Sequence, residues 1–333
     1  MPGVSSTHRA SLPARIIYAI THAVLPRLVR YLVRSGRGAK PARLVRLGGG
    51  VNVVARLQRW RPFFGVRFTR EEGTEVPVEV VRTADCTTPF GDGVILYFHG
   101  GGFVACGLDT HLHVVVTLAR RTRLPVVHVD YRQYPDAMVD GSVEDCIGAY
   151  RWLLARGADP AKTVLAGDSA GGFLAFATAL LAQQRGLPAP AGVIGISALL
   201  ELDNTARSHH ENLHRDAFGV TQGLPELMKE VCPSPAMRRE LSPINGPLET
   251  MPPALLIASE SEILRCDAER LYVALQQHDR PCRLELWDSQ LHAFPALFPF
   301  LPESKAAYDI IVSFVHECLA DTGQAGQTQR DVS

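Results

Sequence analysis

Several things are missing from this 333-residue chain, and each absence narrows what it can be. No apolar run reaches the roughly eighteen residues that a membrane-spanning helix needs, and the amino terminus lacks the basic, apolar and small-residue series of a secretory signal. The seven cysteines, at 86, 106, 146, 232, 266, 282 and 318, are odd in number, scattered and never in Cys-x-x-Cys spacing. They read as reduced thiols in a cytoplasmic protein. There is no internal repeat and no low-complexity tract. The formal net charge is zero, and no nucleic-acid partner is expected. The most local absence is acidic: residues 1–70 contain no Asp or Glu while carrying thirteen arginines and Lys40.

Within that basic stretch, Ile16, Ile17, Val24, Leu25, Leu28 and Leu32 mix with Arg27, Arg30, Arg34 and Arg37, which fall three to four apart on one helical face. Pro26 either starts a second helix or kinks a single one. Three readings fit the segment: a solvated basic face on a helix packed over the core, peripheral contact of residues 1–70 with an anionic membrane or attraction of an anionic substrate, or a mitochondrial import segment.

After Glu71 short β-rich runs alternate with helical ones, the pattern of a mainly parallel sheet covered on both faces. Strands are expected at 76–81, 93–98, 125–130, 163–166, 192–197, 254–258 and 282–287. Helices are expected at 112–122, 143–156, 172–184, 266–278 and 305–319. Residues 201–248 lose the alternation, being rich in His, Pro and polar residues, and read as an insertion. The expected organisation is a basic helical segment over 1–70, a core over 71–200 and 249–320, the insertion at 201–248, and a fraying tail at 321–333.

Two of the expected strands run into glycine-rich sequences. His99-Gly-Gly-Gly102 follows the first, and Gly167-Asp-Ser169-Ala-Gly171 follows the second. Strand, Gly-x-Ser-x-Gly and helix together push a serine side chain above a sheet edge and aim a helix amino end at developing charge. A serine hydroxyl is a poor nucleophile alone and needs an imidazole to take its proton and a third group to hold that imidazole. An acid and then a histidine follow the serine in this class of site. His292, in a loop after an expected strand, suits the base, whereas His278 and His316 sit in or near helices. Glu262 is the best-placed acid, just past the strand 254–258, with Glu260, Asp267 and Asp288 as alternatives. The amides of Gly101, Gly102 and Ala170 form a natural oxyanion-binding set, since glycine lets backbone approach substrate closely.

With these motifs in place, the chain resembles the hormone-sensitive lipase family of α/β hydrolases. His99 to Phe103 is similar to its HGGGF, Gly167 to Gly172 to its GDSAGG, and Asp130-Tyr-Arg-Gln-Tyr-Pro-Asp136 to its DYRLAPE segment. The resemblance covers about 76–319. It implies an α/β-hydrolase fold with an eight-stranded, mostly parallel sheet, helices on both faces, and a helical cap made from the amino-terminal segment and the insertion. It also implies hydrolysis of a small-molecule ester without a cofactor. Two departures stand out: the family's acid motif begins with Asp where this chain has Glu262-Ile-Leu-Arg, and its His-Gly-Phe becomes His292-Ala-Phe. Phe103, Phe294 and Phe298, with Leu213, Phe218 and Leu227 from the insertion, are candidates for an apolar substrate pocket or for core.

Two rivals belong to other classes. His210-Glu211-Asn-Leu-His214 spells the HExxH of zinc peptidases, which on a helix would set two imidazoles on one face beside a glutamate base; it lacks a third ligand at the usual spacing. A non-catalytic, ligand-binding relative of the fold would be expected to have lost the serine or the histidine.

Overall fold

The computed structural model describes residues 4–34, 55, 63–71, 76–217 and 223–320. Nine strands form one sheet: β1 (Val4–His8), β2 (Val66–Glu71), β3 (Val78–Thr83), β4 (Val94–Phe98), β5 (Val126–Val129), β6 (Thr163–Asp168), β7 (Gly192–Ile196), β8 (Ala254–Ser259) and β9 (Cys282–Trp287). Their order is β1-β9-β8-β7-β6-β4-β5-β3-β2. β3 is antiparallel to both β2 and β5, and every other pairing is parallel.

Continuous apolar runs become strands here because both sheet faces are covered. Along β4, Val94, Leu96 and Phe98 enter one core, while Ile95 and Tyr97 enter the other. The first core is closed by α3 (Val139–Ala155), α4 (Ala170–Gln184) and α7 (Arg265–Gln277), and the second by α2 (Leu112–Thr122) and α9 (Pro302–Ala320). Helix α4 is buried on nearly every side, which explains its run of alanine and glycine. This is the α/β-hydrolase fold.

The structure corrects the expected strand count from eight to nine. β1 lies parallel along β9, pairing Val4 with Leu284 and His8 with Trp287. Its polar sequence, Val-Ser-Ser-Thr-His, carries no strand periodicity of its own; what recruits it is the row of unpaired amides on the margin of β9. His8 stacks on Trp287 with ring centroids 3.9 Å apart and reaches Glu285 Oε2 at 2.9 Å. Nor is 1–70 helical throughout, because 66–71 is β2 of the core sheet. Residues 12–34 form a single helix, α1 (Leu12–Arg34), with Pro26 inside it. Residues 35–54 and 56–62 of the expected basic segment, and the whole of the expected tail, lie outside the described residues.

The insertion departs from β7 and returns at β8. Among the described residues it holds 3₁₀ turns at Arg207–His209, Glu211–His214 and Pro243–Asn245, and the helices α5 (Leu224–Val231) and α6 (Pro235–Leu241). A buried ion pair clasps it to the core: the Arg207 guanidinium lies 2.6 and 2.8 Å from the Asp267 oxygens, and both side chains are fully buried. Asp267 Oδ2 also accepts the amides of Leu200 and Glu201, and Arg207 donates to the carbonyls of Glu201 and Asp203. This removes Asp267 from the alternative acids, since its carboxylate is spent on the arginine. With every donor matched, removing one partner strands the other charge, so Arg207→Ala should lower the unfolding free energy by about 3–5 kcal/mol, measured by urea denaturation.

Candidate active site

Strands β4, β6, β7, β8 and β9 run parallel, so the loops after their carboxyl ends gather at one edge of the sheet. Ser169 sits at the junction of β6 and α4 with φ 53° and ψ −118°, a strained conformation for a residue with a side chain. Its amide donates to the Ile196 carbonyl at 2.9 Å, and its carbonyl accepts from Phe173 and Leu199 at 3.1 Å each. The flanking glycines are required by close approach: a Cβ on Gly171 would strike the carbonyl oxygens of Phe98 and His99, and one on Gly167 would strike Gly171.

Ser169 Oγ lies 2.9 Å from His292 Nε2, and His292 Nδ1 lies 2.7 Å from Glu262 Oε2. Glu262 Oε1 accepts from the Ser197 hydroxyl and the Ser259 amide, both at 2.7 Å. The three side chains expected to act together are therefore joined in one hydrogen-bonded chain. Burial alone would pull the His292 pKa down, but the hydrogen bond and negative charge of Glu262 outweigh it, and the imidazole is held above its ordinary range. Asp288 sits at the β1 margin: its amide donates to the His8 carbonyl, and its carboxylate accepts the Ser289 hydroxyl at 2.9 Å. Glu260 is tied by its backbone, its amide donating to Trp287 and its carbonyl accepting from Asn212 and Arg265.

Opposite the serine, Gly101 and Gly102 have φ of 128° and 64°, and a Cβ on Gly101 would strike the Ala105 carbonyl. Gly100 donates its amide to Asp168 Oδ1 at 3.0 Å. Among the described residues, the amides of Gly101, Gly102 and Ala170 donate to no protein acceptor. The segment 130–136 braces this loop: Tyr131 stacks on His99 and donates to its carbonyl at 2.7 Å, and the Tyr134 amide donates to Phe103.

Two of the phenylalanines left open between pocket and core lie in the core. Phe103 is 1% exposed, its left-handed backbone turning the ring under the loop into edge contact with Phe173. Phe294 is fully buried against Trp287. Large rings gain more by filling the two cores than by waiting at a solvated cleft. Leu227, by contrast, reaches from α5 to 3.2 Å from where a Gly102 Cβ would stand, and Tyr134 fastens that helix by donating to Glu230 at 2.7 Å. Phe218 lies outside the described residues.

The HExxH segment is not on an α-helix. His210 is extended and accepts the Asn212 amide, residues 211–214 form a 3₁₀ turn, and Glu211 pairs with Arg265 at 3.0 Å. With three residues per turn, positions four apart do not share a face, so the geometry the motif needs is not formed. The insertion does contribute in a way sequence reasoning missed. The Asn212 amide group donates to the carbonyls of Glu260 and Glu262 at 2.6 and 2.8 Å, and Asp216 accepts the Ile263 amide at 2.9 Å, pinning the acid's loop from above. Ser197 was missed too: besides donating to Glu262, it accepts the Ala293 amide at 2.9 Å and so joins the acid's loop to the histidine's. No spacing in the sequence marks any of the three.

A family described as the alpha/beta hydrolase fold matches residues 95–296. The carboxylesterase/phospholipase LipF of Mycobacterium tuberculosis is 34% identical over 271 residues, 79% of this chain and 72% of that protein. The esterase LipU of the same organism is 34% identical over 67% of this chain and 77% of its own length. Among solved structures, an esterase/lipase from an uncultured bacterium superposes with a TM-score of 0.79 at 27% identity, covering 93% of this chain and all of that one. An esterase from the bacterial hormone-sensitive lipase family gives 0.74 at 27% identity, with 85% and 99% covered.

The charge on Glu262 is what lifts the His292 pKa, so its removal has a definite sign. Glu262→Gln should move the His292 titration midpoint to lower pH, followed by NMR of the imidazole; a midpoint that stays in place would mean that the carboxylate is not the charged partner.

Proposed function

The chain belongs to the hormone-sensitive lipase family of α/β-hydrolase carboxylesterases and is a carboxylic ester hydrolase; from that premise we propose that it works through a Ser169-His292-Glu262 triad and an acyl-enzyme on esters of short to medium acyl chains. The observation that carries this reading is the continuous run of hydrogen bonds from Ser169 Oγ through His292 to Glu262, beside three amides with no protein acceptor among the described residues.

In this mechanism His292 Nε2 takes the Ser169 proton as Oγ bonds to the substrate carbonyl carbon, while Glu262 holds the proton on Nδ1 and stabilises the imidazolium. The oxyanion is met by the amides of Gly101, Gly102 and Ala170, each such donor lowering the barrier by about 2.7–4 kcal/mol. Collapse breaks the bond to the alcohol oxygen, which leaves with the proton from His292. Water then repeats the sequence on the acyl-enzyme, giving up a proton to His292 and releasing the carboxylic acid as Ser169 recovers its hydrogen. The longer Glu262 side chain serves where the family has Asp because Ser197 and the Ser259 amide anchor its second oxygen. Leu227 over Gly102 supports the limit on acyl length.

We further propose that the enzyme meets its ester at an anionic phospholipid surface. The inner face of α1 is fixed by Ala14, which is buried, and by Tyr18 donating to the Arg215 carbonyl at 2.8 Å. Its outer face presents Leu12, Ile16, Ile20 and Val24, from 49 to 69% exposed and four residues apart, beside the exposed Arg15 and Arg27. An apolar stripe with arginines, in a segment without one acidic residue, suits the interface of an acidic bilayer. No helix among the described residues is long and apolar enough to cross a membrane. The relative LipF is named a phospholipase as well as a carboxylesterase. The seven cysteines, odd in number, scattered and never in Cys-x-x-Cys spacing, support a reducing, cytoplasmic compartment.

Ser169→Ala should abolish hydrolysis of p-nitrophenyl esters with the fold intact by circular dichroism, and a chelator should leave the rate unchanged. Retained turnover in the variant, or loss on chelation, would overturn the mechanism. The full-length protein should co-sediment with vesicles containing phosphatidylserine, less so at high salt, and Ile16→Glu/Ile20→Glu should release it. Equal binding by the variant would remove the surface proposal and leave the ester chemistry standing.

A further inference from the structure

Asp168, between Gly167 and Ser169, is the least expected charge in the molecule. It is 3% exposed and points under the glycine loop. Oδ1 accepts the Gly100 amide at 3.0 Å and the Tyr97 hydroxyl at 2.6 Å, and a Cβ on Gly100 would collide with the carboxylate. A buried anion directly beneath the place where an oxyanion develops opposes that charge unless something neutralises it.

The neutralising group can be read from the hydrogen bonds. His111 Nε2 lies 3.3 Å from Asp168 Oδ2, and His111 Nδ1 lies 2.8 Å from Thr110 Oγ1. Thr110 Oγ1 accepts the Gly107 amide at 3.0 Å and stands 2.8 Å from the Gly107 carbonyl, to which it can donate. With its hydrogen on Gly107, Thr110 is left as an acceptor toward Nδ1, as the carboxylate is toward Nε2, an arrangement that suits hydrogen on both ring nitrogens.

We propose that His111 is held as an imidazolium that neutralises Asp168, and that this pair is a positioning device for the oxyanion loop: Asp168 anchors Gly100, and His111 keeps the anchor from repelling the transition state. The other groups facing His111 leave this role to it. His99, from the loop after β4, has ring centroids 5.7 Å away and is pushed down to about 3 by burial and then by the positive charge of His111. On α2 itself, His113 is lowered by burial and by His111 in the same way. Tyr97 on β4 is held neutral by burial and by the Asp168 charge, and Tyr131 after β5 and Tyr308 on α9 are likewise raised by burial. The Cys106 thiol is pushed up to about 11 by burial and by Asp168. His128 on β5 has its ring 6.5 Å from that of His111; Asp109 is half-buried, and Asp130 is exposed. For Asp168, burial works against the charged form, but His111 and Tyr97 together hold the carboxyl well below the usual range.

The inference rests on the ester-hydrolase reading of Ser169, and its first test does not use turnover. In the full-length protein labelled with ¹⁵N-histidine, His111 should show both ring nitrogens protonated at neutral pH, and Asp168→Asn should convert it to the neutral ring. A neutral His111 in the unsubstituted protein would overturn the proposal even if the enzyme is active. The second test is a double-mutant cycle on p-nitrophenyl butyrate. His111→Gln should lower kcat by about ten- to a hundredfold with little change in KM, because the loss falls on the charge that develops in the transition state. The same substitution made in the Asp168→Asn background should cost less than about threefold, since no uncompensated carboxylate remains. An equal cost in both backgrounds would show that His111 acts by packing alone, and should His111→Gln fail to fold, the ¹⁵N spectrum of the unsubstituted protein still decides.

Discussion

One close approach sets the geometry of the whole catalytic edge: Gly171, in the first turn of α4, lies against the carbonyl oxygens of Phe98 and His99 at the end of β4. Because no side chain stands between them, the turn bearing Ser169 and the loop bearing Gly101 and Gly102 are held side by side. The strained backbone of Ser169 is then the only way the chain can leave β6 and enter α4 at that distance, and three backbone hydrogen bonds hold it there. Ser169 and the amides proposed to meet the oxyanion owe their spacing to packing rather than to contact with substrate, so the proposed site is organised before anything binds.

Around this crossing, buried charge is handled in pairs. Glu262 meets His292, Asp168 meets His111, and Arg207 meets Asp267. Each pair lies between segments far apart in the chain, and each carboxylate also accepts backbone or hydroxyl hydrogens. Isolated, any of these ions would disfavour folding; paired and saturated, they fix register between loops that apolar packing alone would leave free to slide. The Arg207 pair holds the insertion, the insertion pins the Glu262 loop through Asn212 and Asp216, and that loop holds the imidazole. The insertion thus supports the proposed catalytic residues through its polar backbone contacts, and not only through any apolar wall it offers.

Much of this was legible because it rests on local rules. Seven strands and five helices of the core stand where period and turn residues put them, within a few positions, and Ser169, Glu262 and His292 fall in loops whose proximity follows from parallel strands. What escaped notice was non-local. β1 is recruited by the margin of a strand almost three hundred residues away, so nothing in Val-Ser-Ser-Thr-His announces it. Ser197, Asn212 and Asp216 matter only through loops that fold beside them. Phe103 and Phe294 sit next to motif residues yet turn inward, since neighbours along a tight turn point in different directions. His210-Glu211-Asn-Leu-His214 matched a string whose meaning depends on a helix that does not form.

The added strand has a further effect on how the sheet ends. On the β9 side the last member is five residues long, with a break in register between Ser5 and His8. An irregular border is a poor template for another polypeptide, whereas the regular flank of β9 would have been a better one. By lending residues 4–8 to that flank, the protein shields a hydrogen-bonding surface that, left bare, would favour end-to-end stacking of copies at high concentration.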